Sequence, residues 1–134
     1  YTVTCNRDLL TVKLMEYMHT LEVVGLKQAV LEQIRQLAGK KQFVLIVLNS
    51  PYLCNSANLH EIRQWLLRLK YCTSLRGVLC GQYSPGLIQM LRILEEVGLK
   101  EQFAVFSNES EAMDFIKMTR RNEVVEDFLE MRPD

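Results

Sequence analysis

The segment QFVLIVL, residues 42 to 48, constrains this chain more than any other. Six apolar residues follow the glutamine without a polar break, and β-branched types are frequent among them. The run is bounded by GKK before it and NSPY after it. A strand with one solvated face alternates apolar and polar residues, whereas an unbroken apolar strand is covered on both faces. The run is also far too short to cross a bilayer, which takes about 20 apolar residues as a helix. It reads as the central strand of a sheet, and the rest of the chain has to supply its cover.

The flanking segments do so at helical spacing. Leu26, Val30, Ile34 and Leu37 predict a helix from about Val23 to Ala38, with Gly25 weakening its first turn and Gly39 just past its end. Leu59, Ile62, Leu66 and Leu69 make a second stripe. LRGVLC is a second short buried strand. In SPGLIQMLRILEEVG, Ser84 is the N-cap, Pro85 takes the first helical position and Gly98 lies just past the end. FAVF is a third short strand, and Asn108 and Glu111 have capping-box spacing before the last periodic segment. Ahead of all this, residues 1 to 7 and 9 to 15 alternate, with NRD between them as a hairpin turn. The order is ββαβαβαβα. It predicts an α/β fold: a mixed, mainly parallel sheet with an N-terminal β-hairpin and right-handed crossovers. The segment from Thr119 onward, TRRNEVVEDFLEMRPD, is charged but carries Val124, Val125, Phe128, Leu129 and Met131. It predicts an extra amphipathic helical tail, 119–134, beside a single domain of residues 1–118. The tail packs either on its own domain or on a neighbour, which makes a homodimer through it one expected assembly.

At 134 residues the chain suffices for one domain with a real core. Hydrophobic residues make up 49% and charged residues 24%, the balance of an ordinary globular protein. The net charge is zero and the pI near 6.9, so nothing is built to neutralise a polyphosphate backbone, and nucleic acid is not an expected partner. The N-terminus, YTVTCNRDLL, lacks the basic start and apolar block of a signal peptide, as well as an initiator methionine. Cysteines 5, 54, 72 and 80 form no C-x-x-C pair and fall in or beside apolar segments, the pattern of reduced structural thiols inside a cell.

The sequence offers little to a catalytic reading. His60-Glu61 begins an H-E-x-x-H motif that Gln64 breaks, and His19 has no ligand companions at metal spacing. In GQYSPG, Ser84 lies three residues after Gly81 where a nucleophile elbow needs two, and the helix start accounts for it. No glycine-rich nucleotide cradle occurs. Trp65 falls beside the apolar stripe of its helix, a core position. No catalytic residue, metal ligand or cofactor is therefore expected.

Three segments together carry a resemblance. FVLIVLNSPYLCNSANLHEI is similar to the central strand, short loop and D-S-[ST]-G-L helix start of the STAS domain family. GVLCGQYSPGLIQMLRILEEVGL is similar to that family's next strand and its serine-proline helix, and FAVFSNESEAMDFI to its closing strand and helix. The resemblance covers roughly residues 8 to 118 and implies the fold of bacterial anti-sigma-factor antagonists and of the cytoplasmic domains of sulfate-transporter-type proteins. In the antagonists, the serine of the motif is phosphorylated by a partner serine kinase that is also the anti-sigma factor, and a phosphatase reverses it. That serine falls on Ser56 and its preceding Asp on Asn55. The small residue that follows falls on Ala57, the glycine on Asn58 and the leucine on Leu59. A further family Asp, in the preceding strand, falls on Val47. The hydroxyl is kept while three neighbours depart from the pattern.

The resemblance thus implies a non-enzymatic, cytoplasmic module of bacterial signal transduction and transcription regulation, a phosphoprotein with Ser56 as phosphoacceptor. Asn55, Ala57, Asn58, Leu59, His60 and Arg63 would form its partner-binding surface. Two other expectations stand beside it. The same fold serves as the cytoplasmic domain of a sulfate-transporter-type membrane protein. LCNSANLHEI after a buried strand also loosely resembles the acyl-CoA pocket loop of crotonase-type enzymes, which need a second, glycine-rich oxyanion segment and a longer chain. The local alternative at Ser56 is structural: serine and asparagine are among the best N-caps, for about 1 kcal/mol.

Overall fold

The computed structural model describes residues 1–6, 8–14, 20–37, 42–48, 56–71 and 75–130. Its elements are β1 (Thr2–Asn6), β2 (Leu9–Leu14), α1 (Thr20–Leu37), β3 (Gln42–Leu48), α2 (Ser56–Lys70), β4 (Leu75–Cys80), α3 (Pro85–Glu96), β5 (Phe103–Phe106) and α4 (Glu109–Glu130). A short 3-10 turn, Lys100–Gln102, leads into β5. The five strands form one sheet in chain order. β1 and β2 are antiparallel, with Thr2 opposite Lys13 and Asn6 opposite Leu9. Every later pairing is parallel. The α/β class, the element order and the N-terminal hairpin are as the sequence predicts.

That strand order dictates where the helices go. Three β-α-β crossovers each step the sheet in the same direction, and connections of one hand stepping one way lie on the same face. Accordingly α1, α2 and α3 share one core with Leu10, Val12 and Leu14 of β2 and with Val44, Ile46 and Leu48 of β3. The alternate β3 residues, Phe43, Leu45 and Val47, point to the other face, together with Val78 and Cys80 of β4. Among the described residues the last helix, α4, covers them, through Ala112 and Ile116. All seven residues of β3 are buried, as expected of an unbroken apolar run in the middle of the sheet.

The predicted helix ends hold to within a turn. α3 is capped as its sequence indicates: the Ser84 hydroxyl accepts the Leu87 N–H at 3.2 Å, and Pro85 opens the helix. Gly98 follows with φ of +79°, a left-handed conformation that favours glycine. Gly77 meets a different demand. A side chain there would collide with the ring of Phe103, whose atoms would lie 2.5 Å from an added Cβ. α1 begins at Thr20 rather than Val23, which brings Glu22 into the first turn beside the positive end of the helix dipole. Gly25 then falls in the second turn.

Residues 119–130 of the expected tail are helical, as the continuation of α4, which runs unbroken from Glu109 to Glu130; residues 131–134 lie outside the described residues. Ion pairs fasten α4 along the sheet. Glu109 meets Lys13 at 3.0 Å, and Glu123 meets Arg76 at 2.6 Å. Arg120 grips both carboxylate oxygens of Asp8 and lies 5.4 Å from the centre of the Phe43 ring. The charged residues that make the tail look solvated are thus partly its attachment to its own sheet.

Candidate functional site

Ser56 is the first residue of α2, and Ala57 and Asn58 complete its opening turn with Leu59. Asn55 lies outside the described residues, as do His19, Gly39, Cys54 and Cys72. α2 follows the carboxyl end of β3, the middle strand of the five. The first backbone N–H groups of any helix lack intrahelical acceptors, so this turn offers donors and the positive end of a dipole to whatever stands before it.

The body of α2 is the middle helix of its face, and its polar side chains tie it to both neighbours. Lys27 of α1 bridges to Glu61 at 2.5 Å and donates to the Gln64 amide oxygen at 2.9 Å. The Gln64 amide nitrogen lies 3.0 Å from Nε2 of His60, so the residue that breaks the would-be zinc motif hydrogen-bonds to its histidine. Arg63 reaches Glu96 at the end of α3, Nε to carboxylate, at 2.8 Å. Of the predicted partner-binding residues, His60 is exposed, Arg63 is half-buried and engaged with Glu96, and Leu59 packs against the main core. Ile62, Trp65, Leu66 and Leu69 are fully buried beneath them. Trp65 is a core residue, as expected, and its indole N–H has no acceptor among the described residues.

Two hollows adjoin this surface. A groove of about 520 Å³ runs between α1 and α2, with Leu31 and Lys27 on one side and Leu67, Arg68 and Tyr71 on the other. Tyr71 is 79% exposed at its end. A second hollow, about 610 Å³, opens at the carboxyl ends of β3 and β4, floored by Val47 and Cys80 and walled by the starts of α3 and α4. The sequence reading missed this crevice, although its signal was present. Two capped helix starts, at Ser84 and Asn108, follow strands that are parallel neighbours, which brings both caps to one edge.

The chemistry of the crevice is quiet. Asn108 accepts the Glu111 N–H at 2.9 Å, Ser84 accepts that of Leu87, and Glu109 is bridged to Lys13. Burial, with a smaller contribution from the Glu109 carboxylate, pushes the Cys80 thiol up to about 11, so it stays protonated at neutral pH and is a poor nucleophile. Val47, beside Cys80 in the sheet register, puts an apolar side chain where the family resemblance would have an aspartate. Cys5 and Cys80 are both free thiols. Among the described residues no group of three or more His, Cys, Asp or Glu side chains could hold a metal ion, and no helix is long and apolar enough to cross a membrane.

No family model matches the chain, and no curated protein matches it either. Three chains of solved structures do. One, described as "NMR Structure of the protein TM1081", is 16% identical over 86% of each chain, with a TM-score of 0.56. At that identity the likeness speaks to the fold alone.

Proposed function

We propose that this chain is a non-enzymatic regulatory module of the STAS type, working in the cytoplasm, whose partner binding is switched by phosphorylation of Ser56. The observation that carries the reading is the location of Ser56: the first residue of the helix that follows the central strand. The STAS resemblance has its phosphoacceptor at the same point. A phosphate adds about −1.5 to −2 charges. At a helix N-terminus it meets free N–H groups and the positive dipole end, so the domain itself tolerates it. A partner seated over the same turn would instead face a buried, unpaired charge, which costs several kcal/mol and is enough to break a micromolar complex. The partner is a serine kinase of the anti-sigma type or a related signalling protein, with a phosphatase restoring the free hydroxyl. His60 and the α1–α2 groove continue the binding surface away from the switch. The departures at Asn55, Asn58 and Val47 make this a variant of the motif, matched to a kinase that does not require the usual aspartates.

Phosphopeptide mass spectrometry of the protein from its native cells tests the proposal, together with kinase binding by Ser56→Asp and Ser56→Ala. The expected result is phosphate on Ser56, weakened binding by Ser56→Asp and retained binding by Ser56→Ala. An unmodified Ser56, with both variants binding like wild type, would reduce this hydroxyl to a helix cap.

A further inference from the structure

Four polar side chains at the seam between α1 and α2 form one chain of contacts: Glu61, Lys27, Gln64 and His60. Lys27 and Glu61 are half-buried, whereas Gln64 and His60 are exposed, one helical turn apart on the same side of α2. The directions of these contacts are not interchangeable. An ammonium group carries three donors and no acceptor. Lys27 therefore donates at both of its contacts, to the Glu61 carboxylate and to Oε1 of Gln64 at 2.9 Å.

With its oxygen turned to Lys27, the Gln64 amide turns its nitrogen to His60. An amide NH2 only donates, and Nε2 of His60 lies 3.0 Å away. In the neutral ring, Nε2 must then be the acceptor and the proton must sit on Nδ1. The opposite orientation of the amide would set its NH2 against the Lys27 ammonium, donor against donor. The state of the imidazole is thus set by a cation on the neighbouring helix. The remaining polar group of the ring, Nδ1–H, has no acceptor among the described residues, and His60 is exposed.

We infer that Lys27, acting through Gln64, fixes His60 as its Nδ1–H tautomer and so makes it a hydrogen-bond donor on the exposed side of α2, for an acceptor oxygen of the partner. Lys27 and Gln64 are positioning residues, and His60 makes the contact. A partner carboxylate or carbonyl fits beside the ring, whereas a lysine or arginine does not. The partner's part rests on the reading of α2 as the docking helix. The tautomer rests on the contacts alone.

Long-range proton–nitrogen NMR of the histidine rings tests the inference at about pH 8, where a histidine side chain is mostly neutral. A His60→Gln sample identifies the signals. Wild type should hold the His60 proton mainly on Nδ1, whereas a solvated histidine prefers it on Nε2. Gln64→Glu, at an exposed position, offers the ring an oxygen in place of the NH2 and should invert the tautomer. Lys27→Met lets the amide turn and should return the proton mainly to Nε2. A wild type in the Nε2–H form, or a tautomer unmoved by both substitutions, overturns the inference whatever Ser56 does. Binding of the partner kinase reads the donor role. His60→Ala should weaken it about tenfold. His60→Asn, whose amide N–H stands near the Nδ1 position, should restore most of the loss. Full binding by His60→Ala overturns the donor role, and the Ser56 reading survives that result if Ser56→Asp still weakens binding in the same assay.

Discussion

The two faces of the sheet are covered by different means. On one, three helices bring four apolar stripe residues each, among them Leu26, Trp65 and Met90, over strands that contribute every second residue. On the other, Ala112 and Ile116 of α4 lie over Phe43, Leu45, Val47, Val78 and Cys80, with Phe106, Met113 and Phe115 partly buried at the margin. The first face is held by apolar area. The second has a small apolar centre and a perimeter of ion pairs, from Lys13–Glu109 at one end to Arg120–Asp8 and Arg76–Glu123 at the other. Such pairs, half exposed, contribute about 0–1 kcal/mol each, so the second face is the weaker one. The candidate docking helix α2 belongs to the strong face, and α4 is the cover that can loosen without dismantling it.

Truncation in the strong core should have the largest effect. Trp65→Ala should cost about 3–5 kcal/mol in denaturant unfolding. Trp65→Phe should cost far less, since it also removes a buried indole N–H that lacks an acceptor among the described residues. On the weak face, Ile116→Ala should cost about 2–3 kcal/mol and raise hydrogen exchange in α4 more than in α1 or α2. If the two truncations unfold the chain alike, with α4 and α2 exchanging together, the faces are not separable.

Arg120→Ala removes the Asp8 grip and the contact with the Phe43 ring. It should cost about 1 kcal/mol, less at high salt. Cys80 makes the weak face sensitive to alkali. Its folded value of about 11 exceeds the ordinary 9.0, so below pH 9 the thiol is protonated in both states and contributes no pH dependence. Between the two values the unfolded chain releases the proton and the folded chain keeps it, so stability falls as pH rises. Denaturant midpoints on either side of pH 9 should show the fall, and Cys80→Val should lack this part of it. Smallest of all, Ser56→Asp should change stability by no more than about 0.5 kcal/mol, because an acid at a helix start is well accommodated.

Much of the fold was legible because the strong face is written in periodicity. An unbroken strand and three stripes at helical spacing name their own buried sides, and the caps at Ser84 and Asn108 mark where helices begin. The weak face is written in long-range charge, which local spacing does not reveal. Asp8 and Arg120 are 112 residues apart, and neither position shows that the other is its partner. That is why the charged stretch after Met118 reads as a detached tail rather than as the rest of α4. The crevice was hidden for a related reason: two caps become one wall only when β4 and β5 are known to be parallel neighbours. At Ser56 the sequence and the structure agree on a helix start, and the chemistry of that hydroxyl is what the phosphopeptide experiment reads.

Native-state hydrogen exchange of the wild-type chain tests the central claim, that one face is held more strongly than the other. Amides of α4 between Ala112 and Glu123 should exchange through local openings of lower free energy than those of α2 and β3, which should exchange only with global unfolding. Protection in α4 equal to that of β3, lost in a single global step, would contradict it.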